Sequence, residues 1–158
     1  MMQPTVYIDT TIPSYYTDQR ESLSLHIQRT RTWWQEERHA YQVYCSDFVE
    51  LELSESVFVG QAEALTLIAE IPRLAINSEI EQIVEVYLAN YLMPGKDIRD
   101  AIHLAFASYY KLDFLLTWNI RHLANARKRA HIRVINSRLH LTIPEIITPL
   151  ELLLTEDE

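Results

Sequence analysis

Asp9 closes the apolar run Thr5-Val6-Tyr7-Ile8, and far downstream Asp100 opens an apolar stretch, Ala101-Ile102-His103-Leu104-Ala105, that leads to a second run, Phe114-Leu115-Leu116-Thr117-Trp118-Asn119. Acids or amides at strand C-termini and on an adjoining helix are what a parallel sheet needs to hold a metal. In an open α/β sheet those strand ends converge on one edge, so groups distant in sequence meet there. Glu50, Glu52 and Glu55 crowd the segment between. At about 100° per residue Glu52 and Glu55 fall near one helical face and Glu50 lies across from Glu52. The donors are oxygens, which suits Mg²⁺ or Mn²⁺. His103 has no second His at i+4 and no Cys partner, so there is no zinc pattern, and its expected state is hydrogen-bonded and partly buried.

Each acid also has a plainer reading. An Asp at a strand end caps the following turn, and acids in a first helical turn compensate the helix dipole, which suits Asp97. Asp100 differs because Ala101 and Ile102 place it at the boundary of the core.

The elements that must position these groups follow from the hydrophobic periods. Short apolar runs at 5–9, 41–46, 73–77, 114–118 and 145–148 read as strands. Between them lie helical spacings, the pattern of βαβ units and a parallel sheet. After an Ile12-Pro13-Ser14 turn, an amphipathic stretch with Leu23, Leu25, Ile27 and Trp33-Trp34 reads as helix. So do Asp47 to Ser56, 61–71, 78–92 with a Ser78/Glu81 capping box, and Lys96 to Tyr110 after the Pro94-Gly95 break. The expected fold is a three-layer α/β/α sandwich with a central, mostly parallel sheet of about five strands. Residues 1–155 form one domain and Glu156-Asp157-Glu158 a frayed acidic tail.

A chain of 158 residues buries roughly two-thirds of its unfolded surface without help from disulfides. The one cysteine, Cys45, sits in an apolar run and is expected as a reduced, buried thiol. The start Met1-Met2-Gln3-Pro4 lacks a basic n-region, and no apolar stretch approaches the ~20 residues of a membrane span, so a cytoplasmic protein is expected. The two glycines, Gly60 and Gly95, belong to no phosphate-cradling loop, which excludes the nucleotide-binding enzymes built on them. The aspartyl-nucleophile phosphatases need D-x-D after the first strand, and Asp9-Thr10-Thr11 lacks the second Asp.

Net charge is −8, yet residues 121–140 hold six of the fourteen Lys and Arg, three of the six His and no acid. With that +6 set apart the remainder carries −14, an acidic body with one basic segment. The segment follows the run that ends at Asn119. It reads either as a solvated helix face or as a set of phosphate contacts.

Four stretches in order, YIDTTIPS at 7–14, CSDFVELELS at 45–54, DAIHLAFA at 100–107 and DFLLTWNIRHLANA at 113–126, resemble the PIN-domain nucleases, and in particular the VapC-like toxins of bacterial toxin–antitoxin pairs. The resemblance extends to IPEIITPLELL at 143–153. It implies a Rossmann-like domain and an acidic cluster that binds Mg²⁺ or Mn²⁺ to cleave RNA phosphodiesters. Carried over by position, Asp9, Glu52 and Asp100 are metal ligands. The chain departs from the pattern at Asn119, where many members carry a fourth acid; an amide there orients water or substrate and puts a second metal in doubt. Arg121, His122, Arg127, Lys128 and Arg129 are candidate RNA contacts. The resemblance also implies a cognate antitoxin protein and a homodimer, for which the Trp33-Trp34 region offers an apolar surface. A catalytically silent module of the same fold that binds RNA or a partner protein is the alternative.

Overall fold

The central strand, β1 (Thr5–Ile8), buries Val6, Tyr7 and Ile8 without alternation, as a strand covered on both faces must. It lies in a five-stranded parallel sheet with β2 (Gln42–Ser46), β3 (Arg73–Leu74), β4 (Phe114–Leu116) and β5 (Glu145–Ile147), in the order β3-β2-β1-β4-β5. This computed structural model describes residues 3–55, 57–93 and 98–152. Each expected strand is present but shorter. The ladder stops short of Asp9, 117–118 and Thr148, which are left to form the C-terminal edge.

Helices cover the sheet in the three-layer arrangement: α1 (Thr11–Tyr16), α2 (Ser24–Thr32), α3 (Asp47–Glu55), α4 (Gln61–Ile68), α5 (Ser78–Ala89), α6 (Arg99–Tyr109) and α7 (Ala126–Arg138). Helix α1 packs on α2 and α4, α3 on α4, and α5 on α6. In α6 every residue from Asp100 to Ser108 is buried, so this helix is enclosed on all sides rather than amphipathic. It carries Asp100 and His103 into the core.

Several local expectations are corrected. Ile12-Pro13-Ser14 is part of α1 and not a turn; Pro13 lies in the first turn, where a missing N–H costs no helical bond. The cap of α5 is Asn77, whose side chain accepts the Ile80 N–H at 2.9 Å, one residue before the expected Ser78/Glu81 box. Trp33 and Trp34 open a π-helical turn, Trp33–Glu37, and both are buried, with 0% and 5% exposure. Its wider turn accompanies the inward placement of two adjacent indoles, so neither supplies an exposed face for a dimer. The Pro94-Gly95 break, Lys96, Asp97, Ser56 and the acidic tail at 156–158 lie outside the described residues. Among the described residues no helix is long and apolar enough to cross a membrane.

The sheet order places a topological switch point at β1, from which the chain leaves through β2 and β3 on one side and returns through β4 and β5 on the other. Ile8 pairs with Leu116, and the Asp9 N–H reaches the Leu116 carbonyl at 3.3 Å, so the residues just beyond β1 and β4 lie side by side. Ligands of open α/β sheets bind at such a point.

Candidate acidic site

Asp9 is 2% exposed. Its Oδ1 accepts the Thr11 N–H at 3.0 Å and the Thr11 hydroxyl, and its Oδ2 accepts the Thr117 hydroxyl. The first bond is the turn cap expected of a strand-end Asp; the last ties β1 to the end of β4. Burial pushes the Asp9 carboxyl up to about 6, and the charge of Asp100 adds to the rise, against His103 and the bonds from Thr11 and Thr117. Trp118 N–H donates to the Thr11 hydroxyl and Asn119 N–H to the Thr117 hydroxyl, each at 2.9 Å, so the threonines fix the post-β4 turn as well as the carboxylate.

Asp100 is also buried. Its Oδ2 accepts the Asn119 side-chain N–H at 2.7 Å and lies 3.2 Å from His122 Nδ1. The Asn119 Oδ1 in turn accepts the His122 N–H at 3.1 Å. Asn119 therefore bridges α6 to the turn that leads towards α7.

Of the three glutamates on α3, Glu52 turns towards α6 and the start of α1: its Oε1 accepts the Thr10 hydroxyl at 2.6 Å and lies 2.6 Å from His103 Nε2. Its Oε2 lies 4.0 Å from Arg99 Nε. Burial opposes the Glu52 charge, but His103, Thr10 and Arg99 outweigh it and hold the carboxyl below its ordinary value. Glu50 instead pairs with Arg73 at 3.2 Å, and Glu55 is exposed. The choice among the three, open at the level of helical spacing, is made by which side of α3 faces His103 on α6 and Thr10. Among the described residues, no three His, Cys, Asp or Glu side chains form a group that could hold a metal. The two buried aspartates feel each other's charge, while the Glu52 carboxylate is engaged by His103 and Thr10.

The basic segment is divided between the two edges of the sheet. His122 contacts Asp100, and Lys128 donates to the Leu92 carbonyl and lies within the field of Asp100. Arg121 and Arg127 are exposed. Arg129 and Arg133, with Lys111, instead line a cavity of about 980 Å³ against Thr5, Phe114 and Glu145, the first residues of β1, β4 and β5. Arg129, a candidate RNA contact by sequence, therefore lies away from the acidic end, because α7 carries its later residues towards the N-terminal edge of the strands.

Sequence reasoning missed the threonines at 10, 11 and 117 and the hydroxyl of Tyr7 as parts of the site. Thr and Tyr inside or beside strands read as β-formers, and periodicity carries no sign of a hydrogen-bonding task. His103 has both ring nitrogens hydrogen-bonded, as expected, but is fully buried at 2% exposure. No protein-family model matches the chain, and no curated protein matches its sequence.

Proposed function

We propose that this protein is a Mg²⁺- or Mn²⁺-dependent endoribonuclease of the PIN-domain toxin kind. The observation that carries the reading is the buried pair Asp9 and Asp100, brought by the end of β1 and the first turn of α6 to the switch point of a parallel sheet, with Asn119 beside them on Asp100. Two buried carboxylates disfavour each other's ionisation unless a cation lies near them. Their oxygen donors suit a hard divalent ion, and Glu52, whose Oε1 is held by Thr10 and His103 and whose Oε2 lies 4.0 Å from Arg99, would join it through water. Such a cation, when bound, supplies positive charge against the scissile phosphate and acidifies water. The chain's own groups hold and orient: Thr11 and Thr117 fix Asp9, Asn119 fixes Asp100, and His122 and Lys128 offer positive or donor groups to the RNA backbone beside the acids. Arg121 and Arg127 extend that contact from exposed positions.

In this reading the partners are an RNA substrate, a cognate antitoxin and a second copy of the chain. The compartment is the cytoplasm, in keeping with a free, buried Cys45. The deciding experiment is incubation of the full chain with mixed transcripts in Mg²⁺ or Mn²⁺, with and without chelator, alongside Asp9→Asn and Asp100→Asn. Cutting that needs the metal and both aspartates supports the reading; intact RNA under every condition rejects it.

One observation favours the alternative, an RNA- or protein-binding module. Thr11, Thr117, Asn119 and His122 already satisfy the two aspartates from within the chain. Retained RNA binding with no cleavage is its outcome in the same assay.

A further inference from the structure

The cavity of about 980 Å³ at the N-terminal edge of the sheet lies where the residues leading into β1, β4 and β5 meet α7. Helix α7 gives it one wall. Arg129, Ile132 and Arg133 stand at i, i+3 and i+4, so two cations flank an isoleucine that belongs to the core. Lys111, just beyond α6, brings a third cation, and Phe114, Ile143 and Pro144 add apolar surface.

The three cations have charge to spare. Among the described residues neither Lys111 nor Arg133 pairs with a carboxylate. Arg129 Nη2 reaches only to 3.8 Å from Glu151 Oε1, and its buried Nε has no acceptor among the described residues, so the guanidinium is held more by packing than by a full set of bonds. Two acids share the cavity. Asp113 Oδ2 accepts the Thr5 N–H at 2.9 Å and the Thr5 hydroxyl at 3.1 Å, which ties the starts of β1 and β4 together. Glu145 lines the wall without an ion pair among the described residues. Lys111, Arg129 and Arg133 against Asp113 and Glu145 leave a positive balance in a chain of net charge −8.

This mixture selects among anionic occupants. An RNA strand carries a phosphate at every step and would set some of them against Asp113 and Glu145. A peptide interleaves carboxylates, backbone N–H donors and apolar side chains, and so offers a partner to the cations, to Glu145 and to the apolar wall alike. Arginine clusters commonly read acidic motifs in this way.

We propose that this cavity is a docking site for a segment of a partner protein in which acidic and apolar residues are interleaved: Lys111, Arg129 and Arg133 take its carboxylates, and Phe114, Ile143 and Pro144 take its apolar side chains. The site lies away from Asp9 and Asp100 and does not depend on the nuclease reading.

The test pans the full-length chain against a random peptide library displayed on phage and remakes the enriched sequences as labelled peptides for fluorescence anisotropy. The expected result is enrichment of Asp and Glu interleaved with apolar residues, with affinity that falls as salt rises. Lys111→Glu with Arg133→Glu should weaken binding about 10-fold or more, since one exposed ion pair alone contributes little. Both side chains are exposed, so the variant should fold, which near-UV circular dichroism checks. Arg121→Glu with Arg127→Glu, the same change of charge at exposed positions outside the cavity, should leave the affinity within about 2-fold. No enrichment, enrichment of sequences without acids, or equal losses in the two pairs overturns the inference. So does displacement of the peptide by a short single-stranded RNA, which makes the cavity a phosphate site. Sedimentation in which the Lys111 and Arg133 reversals dissociate a dimer overturns it as well, because the occupant is then a second copy of the chain.

Discussion

The side-chain amide of Asn119 donates to Asp100 Oδ2 at 2.7 Å. The amide thus makes a contact that an ionised carboxylate at this position could not. Asn119→Asp sets two acids against each other beside the buried Asp9. Without divalent cation this should cost about 1–3 kcal/mol, the usual penalty for a buried polar group left without its partner. With Mn²⁺ the loss should shrink and RNA cleavage should equal or exceed wild type. Urea unfolding in chelator and in Mn²⁺ measures the difference; equal losses in both count against a cation at this place.

Asp9 sets a pH dependence in metal-free protein. Its folded carboxyl holds a proton up to about 6, while the unfolded one releases it near the ordinary Asp value. The folded state therefore binds more protons in that interval, and stability from this group is complete at low pH and lost as pH rises through about 6. Removing the group with Asp9→Asn should make the variant gain on wild type by at most about 3 kcal/mol between pH ~4 and ~7. Chemical denaturation across that range checks the sign, and a gain towards low pH contradicts it.

Division of the basic segment predicts a division of effects. Lys128→Gln with His122→Gln should weaken RNA binding and lower the magnitude of its salt slope by about 1, as expected for one lost phosphate contact from a fixed cation. Arg129→Gln with Arg133→Gln removes charge from the cavity at the other edge and should leave the slope unchanged. Filter binding over a salt series reads both. A larger effect from the arginine pair would place the RNA along the N-terminal edge of the sheet.

Gly60 meets α1 closely. A Cβ built there would lie 2.2 Å from Thr17 Oγ1 and 2.4 Å from Thr17 Cβ. Gly60→Ala should destabilise the fold by about 1–3 kcal/mol, the range for overpacking, and Thr17→Ala should relieve it only in part because its Cβ remains. Thermal or urea unfolding of the single and double variants tests this.

The strands were legible from sequence because a strand buried on both faces leaves a run such as Val6-Tyr7-Ile8, and that signal is local. Helices α4 and α5 were legible for the same reason, from spacing set by 3.6 residues per turn. Their ends were less so. Asn77 and Ser78 are both good caps, and only the path of the chain out of the preceding loop decides which hydroxyl or amide reaches the exposed N–H groups.

Sequence alone marked Asp9 and Asp100 as acids at element ends and the segment at 121–140 as basic. Only the tertiary structure decided their company: that Asp9 accepts from Thr117, that Asn119 reaches Asp100, that Glu52 rather than Glu50 turns towards His103 and Thr10, and that Arg129 and Arg133 leave the acidic end. The reason is physical. Side-chain period and burial are written in neighbouring residues, whereas a hydrogen bond across an element of the sheet depends on strand order, register and the direction in which each helix is laid upon it.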